Sequence, residues 1–358
     1  MPSLKEIKGR INSISSTLAI TSAMKMVAAA KLQKAQMAIQ NMLPYERRLH
    51  SMLIDLMGAM NISAAASEDG SVRGSGSAER GFDQSGDRLS LSNRHDLAGM
   101  DGAYSLMAQR EVRKVAIVAF ASNSSLCGAF NSNVIREATA VINEYRASGL
   151  GDADITVYSV GRKMAEAMKK LGFPSPADFT KMSDSPSYEA ASALAQELLD
   201  GFVSGRFDKV ELVYNHYKST SSQPTIRQTY LPLSLADATA DIQVGKITDS
   251  ASESDTNRVA EPVGAPVVRQ GSPTTEDLIV EPSKEALIAT LLPKVIRLRI
   301  FTTLLDSAAA EHAARTVAMQ LATDNGNDLL QELTLEYNKG RQQKITSEIL
   351  DLVGGSMQ

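Results

Sequence analysis

The chain has 358 residues and a formal net charge of −4, so it has room for two or three structural units and no global positive field for nucleic acid. Its single cysteine, Cys127, excludes an internal disulfide and a cysteine-based metal cluster. The four histidines are not spaced as a metal-binding pair, and no apolar run reaches the length of about 18 residues that a membrane span needs. The N-terminus shows no signal or transit peptide, and we expect a bacterial cytoplasmic protein that reaches a membrane only through partners.

The N-terminal region carries an apolar stripe that runs from Leu4 to Met60 in alternating steps of three and four residues. Only Thr21, Lys25 and Glu46 interrupt it. A stripe that keeps a period of 3.5 over about eight heptads is typical of a coiled-coil seam. Lys25 at a seam position is expected either to extend its amine to solvent or to pair with an acid on a neighbouring element.

The first helix is predicted to run from about Leu4 to Met57, because Ser3 and Glu6 form a capping box at its start. Pro44 lies inside this helix and should kink it or force a local adjustment. Residues 1–60 hold eight Lys and Arg against three Asp and Glu. This excess of positive charge indicates either a solvated helix face or a surface for an acidic partner.

An α/β domain is predicted in the middle of the chain, over residues 112–235. Strands are predicted at 114–120, 154–160, 208–215 and 225–233, and helices at 131–147, 162–171 and 187–204. The alternation of strand and helix predicts a Rossmann-like fold with a mostly parallel sheet. The segments 59–111 and 236–281 are rich in Ser, Asp and other polar residues, and we expect both to be flexible inserts.

A second long helix is predicted at the C-terminus. It begins either at Ser283, a good N-cap, or at Pro293, and it should end at Gly354-Gly355 after Val353. Small residues on this helix would let another helix approach closely; they are Ala308, Ala309, Ala310, Ala313, Ala314, Ala318 and Ala322. Domains 1–58 and 282–358 are therefore predicted to be the two strands of a long antiparallel coiled coil.

Possible chemical sites are few. The loop 122–131 follows the first strand and opens a helix, where a glycine could cradle a phosphate, but it lacks both glycine-rich phosphate-binding motifs. A structural turn is therefore favoured over a nucleotide site. Within this turn, Cys127 is interpreted as a small core residue rather than as a nucleophile. Glu311 and His312 are neighbours on a helix and point about 100° apart, so they do not form an acid–base pair on one face. We predict no catalytic, cofactor or metal site.

Several segments together resemble the γ subunit of F-type ATP synthases. They include Leu4-Lys-Glu-Ile-Lys-Gly-Arg-Ile11 and Ser307-Ala-Ala-Ala-Glu-His-Ala-Ala-Arg315, and also 20–32, 43–46, 122–131, 322–325, 337–338, 341–342, 345–346 and 353–354. The resemblance covers both long helices and the α/β domain, but not the two inserts. The chain departs from the family pattern at Ser22, where the family has lysine, and at residues 123–125, where Asn-Ser-Ser replaces Asp-Arg-Gly.

The resemblance implies the central-stalk rotor of F1 in a proton-translocating ATP synthase, with one copy in each complex. The coil would turn inside an α3β3 hexamer, and the α/β domain would lie beside the ε subunit and the membrane c-ring. Rotation of the ring would drive the β-subunit sites through their conformational cycle for ATP synthesis or hydrolysis, and the shaft would regulate proton flow. The protein would be peripheral on the cytoplasmic side of the bacterial inner membrane.

The resemblance also implies contact residues for the β subunit at six positions, which are Met24, Lys25, Arg341, Gln342, Thr346 and Glu348. The first two match a first-helix segment that faces an acidic hinge region of β. The next two match a pair that contacts the β catch loop, and the last two match positions near the tip that act in coupling. All are contact roles rather than catalytic ones. The alternative class is an enzyme built on the α/β domain, with the coil as a dimerisation arm.

Overall fold

The computed structural model describes residues 3–68, 106, 110–233 and 283–356. Two long helices enclose a small α/β domain. They are α1 (Leu4–Glu68) and α6 (Lys284–Ser356). The domain between them consists of β1 (Val115–Phe120), α2 (Phe130–Ala147), β2 (Ile155–Val160), α3 (Arg162–Lys170), α4 (Thr180–Asp184), α5 (Tyr188–Val203), β3 (Lys209–Asn215) and β4 (Thr225–Leu231). The predicted insert 236–281 and most of the insert 59–111 lie outside the described residues.

Both predicted N-caps are confirmed. The backbone amide of Glu6 donates to Ser3 Oγ at 3.3 Å, and that of Ala286 donates to Ser283 Oγ at 3.2 Å. Each hydroxyl therefore accepts from a first-turn amide, which has no carbonyl four residues earlier in its own helix. The carboxylate of Glu6 pairs with Arg10 at 3.0 Å, one turn further along α1.

The long helices extend further than the sequence predicted. α1 ends at Glu68 rather than near Met57, and α6 runs to Ser356, past the two glycines that were expected to end it. α6 also begins before Pro293, so that proline lies inside the helix, as Pro44 lies inside α1. A proline removes one backbone hydrogen bond, and packing along a long neighbouring helix can offset that local cost.

The two long helices pack against each other in an antiparallel register. A Cβ atom added to Gly340 would lie 3.1 Å from Leu4 Cδ2, and one added to Gly326 would lie 2.6 Å from Leu18 Cδ2. The two leucines and the two glycines have the same spacing in sequence, which is two heptads. Leucine side chains of α1 therefore fill the spaces that the glycines leave in the surface of α6, and the two helices run in opposite directions.

The seam predicted from the apolar stripe is the observed contact line. Every described seam position from 4 to 56 is buried or half-buried, including the three polar interruptions. The hydroxyl of Thr323 donates to that of Thr21 at 3.1 Å, and the hydroxyl of Thr302 donates to the Glu46 carboxylate at 3.0 Å. Lys25 is half-buried and makes no ion pair with another described residue, which favours an amine that extends towards solvent.

The sheet has the strand order β2-β1-β3-β4. β1 is parallel to both β2 and β3, whereas β4 is antiparallel to β3 at the edge. All six residues of β1 are buried, as expected for a central parallel strand with helices on both faces. The predicted mostly parallel α/β sheet is confirmed, and the short helix α4 is an addition to the predicted elements.

The core of the domain extends into the lower part of the coil. One face of the sheet packs on α2 and α3. The other face packs on α5 and on apolar residues of both long helices, among them Leu49, Leu53, Leu292 and Leu304. Among the described helices, none combines the length and the apolar character needed to cross a bilayer.

Candidate partner-binding coil and its junction with the domain

The end of α6 projects beyond the start of α1. Gly340 lies against Leu4, so residues 341–356 continue for about 24 Å without a partner helix among the described residues. All described side chains between 341 and 353 are exposed. The large apolar ones are Ile345, Ile349, Leu350, Leu352 and Val353. An apolar surface of this kind is typical of a binding site for another protein.

Four of the six predicted contact residues lie at or beside this end. Arg341, Gln342, Thr346 and Glu348 are all exposed. The Thr346 hydroxyl donates to the Gln342 carbonyl at 2.9 Å, and Glu348 lies 3.7 Å from Lys344 in an exposed ion pair. These contacts are made within α6, and they leave the side chains exposed to solvent. A partner could therefore reach all four residues.

The other two predicted contact residues lie lower on the coil. Met24 and Lys25 are half-buried, and the antiparallel register places them about 30 Å along the axis from Arg341. The structure therefore does not bring the six residues together; it sets them at two levels of one rod. Beside the lower pair, Met26 and Val27 are 66% and 57% exposed. Met26 and Val27 were not identified from the sequence as contact residues, although apolar residues outside the seam of a coiled coil indicate a surface for a partner.

The loop between β1 and α2 is held by its own hydrogen bonds. The backbone amide of Ser122 donates to Asn131 Oδ1 at 3.0 Å, and the Asn131 amide group donates to Cys127 Sγ at 3.1 Å. Cys127 is buried, which agrees with its interpretation as a core residue. Leu126 adopts a φ of 68°, in the left-handed region, within the same tight turn. This order favours the structural turn over a nucleotide site.

α6 covers the carboxyl edge of the sheet, where open α/β sheets usually bind their ligands. The first contact is made by Arg315, which donates through Nη2 to Ser124 Oγ at 2.8 Å and through Nη1 to the Glu311 carboxylate at 2.7 Å. Both charged residues are buried, and burial raises the pKa of Glu311. Burial also lowers the pKa of His312 to about 4, with the charges of Arg315 and Lys31 acting in the same direction.

The second contact follows β3. The Asp306 carboxylate accepts from the backbone amide of Tyr217 at 2.9 Å and lies 2.6 Å from Nδ1 of His216. Hydrogen bonding to Asp306 raises the pKa of His216. Gln36 of α1 donates to the Tyr217 hydroxyl at 2.7 Å, so this one loop contacts both long helices. Sequence analysis did not identify these residues, because they are far apart along the chain.

Comparison with known proteins identifies related chains over the whole length. The sequence profile of the family described as ATP synthase matches residues 3–357. The ATP synthase gamma chain of Phocaeicola vulgatus is 47% identical over 357 residues, which cover 100% of both chains. That of Bacteroides thetaiotaomicron is 45% identical over 358 residues, again covering 100% of each.

Solved structures with the same fold are more distant in sequence. A chain of the Euglena gracilis mitochondrial ATP synthase in rotational state 3 superposes with a TM-score of 0.53 at 18% identity, covering 99% of this chain and 93% of that one. A rotor chain of the same enzyme in rotational state 1 gives a TM-score of 0.50 at 17% identity, with 96% and 98% covered. These similarities support the arrangement of two long helices around a small α/β domain.

Proposed function

This chain belongs to the ATP synthase gamma-chain family, and we propose that it is the central rotor shaft of F1, turning inside an α3β3 ring. The α/β domain would lie at the end of the shaft away from the tip of α6, where it would contact the ε subunit and the membrane c-ring. Proton flow would turn the ring and the shaft together. We place the protein on the cytoplasmic face of the bacterial inner membrane as a peripheral component of that complex.

The observation that carries the proposal is the shape and surface of the coil. Two helices share a long seam, and one of them ends in a single helix whose described side chains over 341–353 are exposed, several of them apolar. Such a rod presents a different surface to each neighbour around its axis. A rotor can shift the equilibrium of a catalytic site only through contacts that differ between the conformations of that site. An asymmetric coil supplies that difference.

We infer that this subunit contributes contacts rather than catalytic groups. The carboxyl edge of its sheet, where an enzyme of this fold would hold a ligand, is occupied by α6 through Arg315 and Asp306. In this proposal, catalysis takes place on the β subunits. The six residues that resemble family contact positions would meet β at two levels, near the tip of α6 and about 30 Å below it.

The experiment compares the purified chain with the chain assembled with its α and β subunits. The assembled α3β3γ complex should hydrolyse ATP, and a probe attached to the α/β domain should rotate during hydrolysis. The chain alone should not turn over ATP. Turnover by the pure chain would instead support the enzyme alternative, and hydrolysis without rotation of the probe would contradict the role of a shaft.

A second measurement addresses the contact residues near the tip. Gln342→Leu and Arg341→Ala should weaken coupled ATP synthesis in membrane vesicles, because each removes polar groups that face outward from α6. Gln331→Leu provides a matched control, since Gln331 is also exposed on α6 but lies in the paired part of the coil. Synthesis unchanged in all three variants would contradict the assignment of these contacts.

A further inference from the structure

We propose that two polar contacts between the carboxyl edge of the sheet and the coil form a torsional joint, which keeps the domain from twisting around the coil. One contact joins Asp306 to His216 and Tyr217, and the other joins Arg315 to Ser124. The inference rests on the proposed role of the chain as a shaft, because a shaft must pass torque from its domain to its coil. These residues act by positioning and touch no substrate.

The geometry provides two separate attachment points. Asp306 and Arg315 lie on the same helix, roughly 14 Å apart along its axis. They hold two different loops, which follow the neighbouring parallel strands β3 and β1. A single attachment point would act as a pivot, whereas two separated points fix the direction of the sheet relative to α6.

The joint also includes α1. Gln36 of α1 donates to the Tyr217 hydroxyl, so a side chain of the domain that lies beside α6 also binds α1. The Tyr217 ring packs against the buried residues Leu32, Ala309 and Ala313. It also packs against a second small cluster, which contains Cys127, Phe130 and Ala310. Tyr217 therefore contacts both long helices and the loop that opens α2.

Direction distinguishes these contacts from the apolar core below them. The core between the sheet and the lower coil resists separation, but hydrophobic contact has little directional preference. Two hydrogen bonds lie in the same region, from the Tyr230 hydroxyl to the Ile296 carbonyl at 2.9 Å and from Arg297 to Gln196 at 2.5 Å, and both accepting groups are neutral. Hydrogen bonds weaken steeply when their angle changes, and those to ionised groups are the stronger kind. Glu311 and Arg315 are also buried, which strengthens the electrostatic attraction that holds Arg315 in place. The core holds the domain on the coil, and the charged contacts at the carboxyl edge are the stronger of the directional contacts that hold its angle.

The test uses the complete ATP synthase in membrane vesicles, with Asp306→Asn and Tyr217→Phe in this chain. Hydrogen exchange at the 216–224 loop should rise about tenfold in Asp306→Asn, since asparagine keeps an acceptor oxygen but loses the charge that strengthens the bonds to His216 and Tyr217. In Tyr217→Phe, which keeps the ring and loses one neutral bond, we expect about a fivefold rise. ATP hydrolysis should continue, while the number of protons pumped per ATP hydrolysed should fall in the same order.

Two control variants remove similar groups away from the joint. Asp152→Asn breaks an exposed pair with Arg146, whose closest atoms are 2.6 Å apart, within the domain. Tyr188→Phe removes the hydroxyl of an exposed tyrosine on α5, outside the two polar contacts, and keeps the ring that packs against Phe301 of α6. Neither should change proton pumping per ATP. In addition, Gln36→Leu combined with Tyr217→Phe should be no worse than the more severe single change, because the two residues share one hydrogen bond.

The outcomes separate this inference from the proposed function. If the wild-type complex hydrolyses ATP without rotation of this chain, the shaft itself is wrong. If the wild-type complex pumps protons and the Asp306 and Tyr217 variants pump equally well per ATP, the joint is wrong and the shaft stands. Faster exchange without any loss of pumping would show a contact that is only structural, and it would also overturn the inference.

Discussion

The α/β domain and the upper coil use similar apolar residues but bury them to different depths. The upper coil is the part in which residues 4–18 of α1 pack against residues 326–340 of α6. In the domain every residue of β1 is buried, and in the lower coil attached to it Leu53 is only 1% exposed. In the upper coil the seam residues Ile11 and Leu18 are only half-buried, and Ile20 beside them is 61% exposed. Two helices alone can cover only a stripe of each other. The domain therefore supplies stability, and the upper coil supplies register and a surface for partners.

The largest expected effect is in the lower coil. Leu53→Ala should lower the free energy of unfolding by about 2–5 kcal/mol, because it leaves a cavity in a closely packed core. Leu350→Ala, at a leucine that is 64% exposed near the end of α6, should change it by no more than about 0.5 kcal/mol. Urea denaturation of the full chain measures both. Equal losses at the two leucines would contradict the difference in burial described above.

A smaller effect is expected from the glycine holes of the upper coil. Gly326→Ala would place a Cβ atom 2.6 Å from Leu18 Cδ2, and the resulting overpacking should cost about 1–3 kcal/mol, of which the higher helix propensity of alanine offsets about 0.5–1 kcal/mol. Gly9→Ala is the matched control, since a Cβ atom there meets nothing within 4 Å. This substitution should stabilise α1 by about 0.5–1 kcal/mol through the higher helix propensity of alanine.

Thermal unfolding followed by circular dichroism measures the sign of each change. Stabilisation by Gly326→Ala would mean that the leucine side chain moves aside at no cost, and that the glycine does not set the distance between the helices.

The junction should also show a pH dependence, in which two histidines act in opposite directions. His312 has its pKa lowered to about 4, so the unfolded chain binds the proton more tightly and stability should fall as the pH drops from 6.5 towards 4. His216 has a raised pKa, so its stabilising contribution is present below pH 6.5 and is lost as the pH rises through that raised value.

Denaturation of the wild type and of His312→Gln at several pH values separates the two histidines. The variant should lose less stability than the wild type between pH 6.5 and 4. A larger loss in the variant would show that His312 is protonated in the folded protein, contrary to its half-buried position beside the charges of Lys31 and Arg315.

Much of the fold could be predicted because local patterns determine it. The 3.5-residue stripe identified the seam of α1, and Ser3 and Ser283 marked the first turns of the long helices. The strand bounds agreed to within one or two residues, since each buried strand ends at a polar or glycine-containing turn. The end of α1 was predicted too early, because residues 58–68 are helical without an obvious apolar period.

The junction could not be predicted, because no local pattern records it. Asp306 and His216 are 90 positions apart, and Arg315 and Ser124 are 191 apart. Their meeting depends on how the sheet docks on α6. The packing role of Gly326 could not be predicted either, since it depends on which residue of the other helix lies opposite. The β-contact residues remain predictions, as their partner is another chain.

The unequal lengths of the two helices have a mechanical consequence. A rod bends most easily where it is thinnest, and this rod narrows from two helices to one after Gly340. Sideways displacement of the far end is therefore taken up within the last turns of α6, as in a compliant bearing. The thicker section beneath it can stay straight and carry twist with its seam undisturbed.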